Sequence, residues 1–154
     1  MKRSVLIILL SVLILLAGCR TPIPELSTAF EADVTVSGGA IDCTAHVSCS
    51  PDGVILSILS PASVAGVSYR YQKGELRTSY GELSCITDSD SLPPSSVPML
   101  ICETLSRLSE AVYEETGDEG EVYRLRTSQG DVTVVCQDGV PHTITATYNP
   151  YIIK

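Results

Sequence analysis

The sequence predicts an α+β domain, a curved and mostly antiparallel sheet with one amphipathic helix packed on one side. Three observations carry this. Apolar and polar residues alternate with period two through segment after segment, as half-buried strands require. Turn pairs containing Gly or Pro separate those segments. One stretch, 97–112, switches to helical spacing. An antiparallel meander leaves one face to be covered, and a lone helix with one apolar stripe suits that task.

The elements follow in order. Phe30, Ala32, Val34 and Val36 alternate with Glu31, Asp33 and Thr35, and Gly38-Gly39 turns the chain. Ile41, Cys43, Ala45, Val47 and Cys49 make the apolar face of a second strand, with Asp42, Thr44, His46 and Ser48 opposite. Pro51-Asp52-Gly53 is the next turn, because Pro presets φ and Gly supplies φ > 0. Residues 54–59 are apolar on both faces, which predicts a central strand ended by Pro61. Val67, Tyr69 and Tyr71, a Lys73-Gly74 turn, and Leu76, Thr78 and Tyr80 come next, and a short strand at 83–86 closes the first half. Residues 87–96, with Pro93-Pro94, read as a polar loop. Val97, Ile101, Leu105, Leu108 and Val112 then form one helical stripe. Ser95 or Ser96 caps it, Pro98 lies in its first turn and Gly117 ends it. Three strands, at 121–127, 131–137 and 143–148, complete the chain around Gln129-Gly130 and Asp138-Gly139 turns.

The first nineteen residues give an address. Met1-Lys2-Arg3 is basic, 5–16 is aliphatic apart from Ser11, and Leu16-Ala17-Gly18-Cys19 follows. A basic head, a short apolar core and small residues before a cut make a secretory leader over 1–18. The apolar run is shorter than the about 20 residues that cross a bilayer as a helix. Its ending resembles the lipobox of bacterial lipoproteins. That resemblance implies a diacylglycerol on the Cys19 thiol, cleavage just before it and a palmitate-type chain on the new N-terminus. The chain would then be lipid-anchored on the extracytoplasmic face of the cell membrane. Residues 19–27, with Pro22 and Pro24, form a stiff tether, and 28–154 the domain.

Removing the leader takes Lys2 and Arg3 and leaves eight basic residues against eighteen acidic ones, a net charge of −10. That balance argues against nucleic acid, whose affinity rests on cations neutralising phosphates. It also argues against electrostatic adhesion to anionic lipid, so the acyl chains make the membrane contact. With no Trp and one Phe the core is expected to be aliphatic, and the seven Tyr half exposed. Beside Cys19 stand Cys43, Cys49, Cys85, Cys102 and Cys136. An odd count leaves at least one unpaired, and none, one or two bridges are compatible with the spacing.

Cys43-x-x-His46-x-x-Cys49 has the look of a metal site, but a strand puts both Cys on one face and His46 on the other. The two Cys are also roughly 20 Å apart along that strand, outside disulfide reach. Glu114, Glu115, Asp118, Glu119 and Glu121 lack the ligand alternation of a calcium loop and read as a solvated helix end. His46 and His142 are the only histidines. No G-x-S-x-G elbow, H-E-x-x-H pair or phosphate loop occurs. The expectation is a non-enzyme with no cofactor and no metal.

Ser60-Pro61, Ala65-Gly66-Val67, Tyr69-Arg70-Tyr71, Gly74-Glu75-Leu76 and Tyr80-Gly81, with a late Asp138-Gly139-Val140-Pro141 turn, are similar to a pattern in small Gram-positive lipoproteins. Those proteins resemble the LolA/LolB-like fold, and the likeness covers about 30–148. It implies a strongly curved half-barrel sheet whose concave face is covered by helix, with apolar groups bound between the two. The expected function is binding of a lipid or other hydrophobic ligand in a groove lined by Val34, Val36, Leu56, Ile58, Tyr69, Tyr71, Ile101 and Leu105. The alternative is a protein-interaction module that docks or regulates a cell-envelope enzyme through sheet edges and its acidic face.

Overall fold

The computed structural model describes residues 25–38, 41–93 and 96–147, so the leader, Cys19, Pro22, Pro24, Gly39 and Tyr148 lie outside it. Within those residues the order is β1 (Phe30–Gly38), β2 (Ile41–Ser50), β3 (Gly53–Ser60), β4 (Val67–Gln72), β5 (Glu75–Tyr80), β6 (Leu83–Asp88), α1 (Val97–Ser106), β7 (Val112–Gly117), β8 (Gly120–Thr127), β9 (Gly130–Gln137) and β10 (Val140–Thr147). The class is α+β, mostly antiparallel strand with one helix. The strands do not form one sheet. They divide into two antiparallel meanders, β1-β2-β3-β4-β5-β6 and β10-β9-β8-β7.

Helix α1 serves both meanders. Its Met99, Cys102 and Leu105 pack into a first core with Ala45, Val47, Cys49, Val54, Leu56, Ile58 and Leu76. Leu100, together with Leu108 just past the helix, packs into a second core with Tyr123, Val132, Val134 and Cys136. Ile144 touches both. Two apolar surroundings explain why Met99, Leu100, Cys102, Glu103, Thr104 and Leu105 are all buried. Val97 and Ile101, expected on the buried stripe, are only half-buried.

The helix is also shorter than its apolar stripe. It closes at Ser106, where the Arg107 N–H donates to the Glu103 and Leu105 carbonyls, and a 3-10 turn Leu108–Glu110 follows. Val112, the expected end of the stripe, instead opens β7 and is exposed. Val112, Tyr113 and Thr116 favour extended backbone. The hairpin register Gly117↔Gly120 gives them ladder partners in β8 that no helix end would have. Glu114, Glu115, Asp118, Glu119 and Glu121 accordingly lie on that hairpin rather than a helix end, and Glu114 meets Arg124 at 3.0 Å.

β3 is central in its sheet, but only its Val54, Leu56 and Ile58 face the core, while Leu59 is exposed. Tyr123 is a core residue at 2% exposure, set edge-on to Tyr113 with ring centroids 5.7 Å apart. The tether's last residues are docked, not free: Leu26 packs on the second core, and the Ser27 N–H donates to the Gly139 carbonyl at 2.8 Å. Gly139 is required there, since a Cβ would run into the Glu25 carbonyl.

Candidate functional site

The eight expected groove residues do not share one environment. Leu56, Ile58 and Leu105 are buried in the first core, in contact with the helix-borne Met99 and Cys102. Val34, Val36, Tyr69, Tyr71 and Ile101 are half-buried. Of these, Val34, Tyr69, Tyr71 and Ile101 pack around the margin of that core. Burial pushes the Tyr69 hydroxyl's pKa up, with smaller contributions from Cys43 and Cys102.

All five described cysteines are free thiols. Cys43 and Cys49 face the first core, and His46 lies on the opposite face with its Nδ1 2.8 Å from Asp33 Oδ1. Burial pushes the Cys49 thiol up, Cys102 to about 12 and Cys136 to about 11. For Cys136 the nearby Glu121 carboxylate adds to the effect. Thiols held protonated in this way are poor nucleophiles and poor ligands. Among the described residues no group of three or more His, Cys, Asp or Glu is placed to hold a metal ion.

One buried polar cluster centres on a carboxylate that the sequence does not single out. Glu103, 4% exposed, accepts from the Ser128 N–H at 2.9 Å, the Ser128 hydroxyl and Arg107 Nη1 at 3.0 Å. These bonds clamp the end of α1 to the β8–β9 turn. The signal was Glu103 four residues before Arg107, a helical ion-pair spacing.

The outer face of the first sheet is open and polar. The register aligns Glu31, Ser48, Ile55, Arg70, Arg77 and Ile86 in one cross-strand row. Asp33, His46, Ser57, Ser68, Ser79 and Ser84 make the next. Asp33, His46 and Ser57 thus sit side by side, an acid–base–hydroxyl order. Ladder N–H groups lie in the sheet plane, so they do not form an oxyanion hole above that row. Two shallow depressions lie over the Arg70–Arg77 pair instead. The pairing was legible, because a two-residue Lys73-Gly74 turn sets residue 70 opposite 77.

The edge of this sheet is apolar at β6. Leu83 is 75% exposed, Tyr80 beside it 58% and Ile86 52%. Comparison of the chain with family models, with curated proteins and with solved structures gives no match in any of the three. Among the described residues no helix is long and apolar enough to cross a membrane.

Proposed function

We propose that the chain is a lipid-anchored, non-enzymatic extracytoplasmic module, held at the cell membrane through lipidated Cys19, that docks an envelope protein along the β6 edge. The observation that carries this reading is the pairing of an open edge strand with exposed Tyr80, Leu83 and Ile86. An edge strand presents unpaired N–H and C=O groups, and apolar side chains beside them favour an added strand from a partner. Left uncovered, an edge with Tyr80 and Leu83 on one face and Ile86 on the other invites aggregation. The interior supports the same reading. Met99, Cys102 and Leu105 of α1 pack against Leu56 and Ile58, where a ligand under a half-barrel's lid would lie.

The hydrophobic-ligand reading keeps one observation in its favour, the half-buried Val34, Val36, Tyr69 and Tyr71. In that form the half-barrel of the LolA/LolB-like proteins is proposed as a shallow apolar margin rather than a deep groove. The two separate in one experiment on the full chain in its own membrane. A photo-crosslinker at Tyr80, the cross-strand partner of Leu83, should capture one stoichiometric protein, and adding Leu83→Lys should abolish the capture. Lipid that copurifies with the chain, is displaced by Tyr69→Arg and is indifferent to Leu83→Lys would replace docking with ligand binding.

A further inference from the structure

We propose that the outer face of the six-stranded sheet carries a phosphate-binding site built from Arg70, Arg77 and Lys73. The described residues hold six basic side chains. Three of them have carboxylate partners: Arg107 with Glu103 and Glu110, Arg124 with Glu114, and Arg126 with Asp131. Arg70, Lys73 and Arg77 have none among the described residues, and all three stand on the β4–β5 hairpin. The chain has eighteen acidic residues, so a matching carboxylate is easy to supply. Three unmatched cations at one place mark a charge arrangement left for something external.

The register sharpens this. Arg70 and Arg77 are direct cross-strand partners. Such side chains start about 5 Å apart, and like charges there are destabilising. An anion between the two guanidiniums turns that repulsion into attraction. Ser68 lies opposite Ser79 in the neighbouring row, both half-buried, and neither hydroxyl has a protein partner among the described residues. With Ile55 and Gln72 these four line a depression of about 480 Å³. A second, of about 170 Å³, continues over the same arginines to Lys73, Glu75 and Ile86. Both are shallow and open, which suits a small anion held by charge and not a buried apolar ligand.

Charge and oxygen count select the ligand. A phosphomonoester near neutral pH carries roughly −1.5 to −2 and three acceptor oxygens. Two guanidinium forks and two hydroxyls match that better than they match a carboxylate, with one charge and two oxygens. The source is a water-borne phosphomonoester and not the bilayer. Glu31, Asp33 and Asp42 share the same face, and with the chain's net charge of −8 they oppose approach to an anionic lipid surface. A small anion seated between the arginines lies within a Debye length, about 8 Å, of the local cations. The site rests on Arg70 and Arg77 and not on docking at β6, although Ile86 borders both.

The test is calorimetric titration of the full chain, in neutral detergent at low salt, with inorganic phosphate and phenyl phosphate. Saturable one-to-one binding is expected, weakened at least about tenfold by Arg77→Gln and about two- to threefold by Lys73→Gln. Without phosphate, Arg77→Gln should leave the melting temperature unchanged or raise it, because an opposed like charge is gone. A lowered melting temperature would make the arginine structural and overturn the site. So would absence of saturable binding, undiminished binding by Arg70→Gln/Arg77→Gln, or acetate bound as tightly as phosphate. Binding confined to phosphatidic acid vesicles would overturn the water-borne source and with it the proposal.

Discussion

At the scale of the residue, Glu103 and Thr104 are neighbours with opposite energetics. Glu103 is buried with its carboxylate spent on the Ser128 N–H, the Ser128 hydroxyl and Arg107. Removing it breaks all three bonds and leaves a gap under the turn, while the exposed Ser128 and half-exposed Arg107 can turn to water, so Glu103→Ala should cost about 1–3 kcal/mol in denaturant unfolding. Glu110 is the control. Its hydrogen bond from Arg107 lowers its pKa, yet its side chain is 56% exposed, and Glu110→Ala should cost less than about 1 kcal/mol. Thr104 is fully buried with a hydroxyl that finds no hydrogen-bond partner. An unpaired hydroxyl carries a desolvation penalty that a methyl of the same shape does not. Thr104→Val is therefore expected to stabilise the chain by about 1 kcal/mol, and a loss in the same unfolding experiment would show that the hydroxyl is paired.

At the scale of the element, α1 is held from two sides, and mutation should reveal both. Met99→Ala empties the first core and Leu100→Ala the second, each at about 2–4 kcal/mol. Ile101→Ser, on the side expected from the sequence to be the seam, should cost clearly less, as read by the same unfolding midpoints. An Ile101 effect equal to that of Met99 would return the helix to a one-faced packing. The contrast shows what the sequence made legible. Strands β1 to β6 were readable because alternation and turns such as Pro51-Asp52-Gly53 and Lys73-Gly74 are local signals. The helix end was not, because Leu108 and Val112 continue the stripe's spacing by coincidence, while the partner that makes 112–117 a strand lies across a turn in β8. Division into two sheets was equally hidden, since a period of two tells which face is apolar and not which strand is the neighbour. Of the candidate site, Arg70 and Arg77 were within reach through the turn between them. The exposure of Leu83 and Ile86 was not, because the two lie on opposite faces of β6 and nothing local says whether either face is covered.

At the scale of the whole molecule, α1 makes two cores behave as one, and the buried thiols provide a way to test it. Cys102 belongs to the first core and Cys136 to the second. Both hold their protons more tightly when folded, at about 12 and about 11 against an ordinary value of 9.0. The sign follows directly. A group whose folded pKa is raised contributes its full stability below the unfolded value and loses it as pH climbs through the folded one. The thiols' contribution should thus be constant below about pH 9, and stability should fall by a few kcal/mol between pH 9 and about 12. Tyr69 at the margin of the first core and Tyr123 in the second are also raised by burial and steepen the same decline. Because Met99 and Leu100 are adjacent on one helix yet face different cores, neither core can open without disturbing the other. Alkaline unfolding followed by tyrosinate absorbance should therefore show one transition, whose pH dependence Cys136→Ala makes shallower without splitting it. Two transitions in the parent chain, with only the later one altered by Cys136→Ala, would mean that the sheets fold as separate units and that α1 belongs to the first alone.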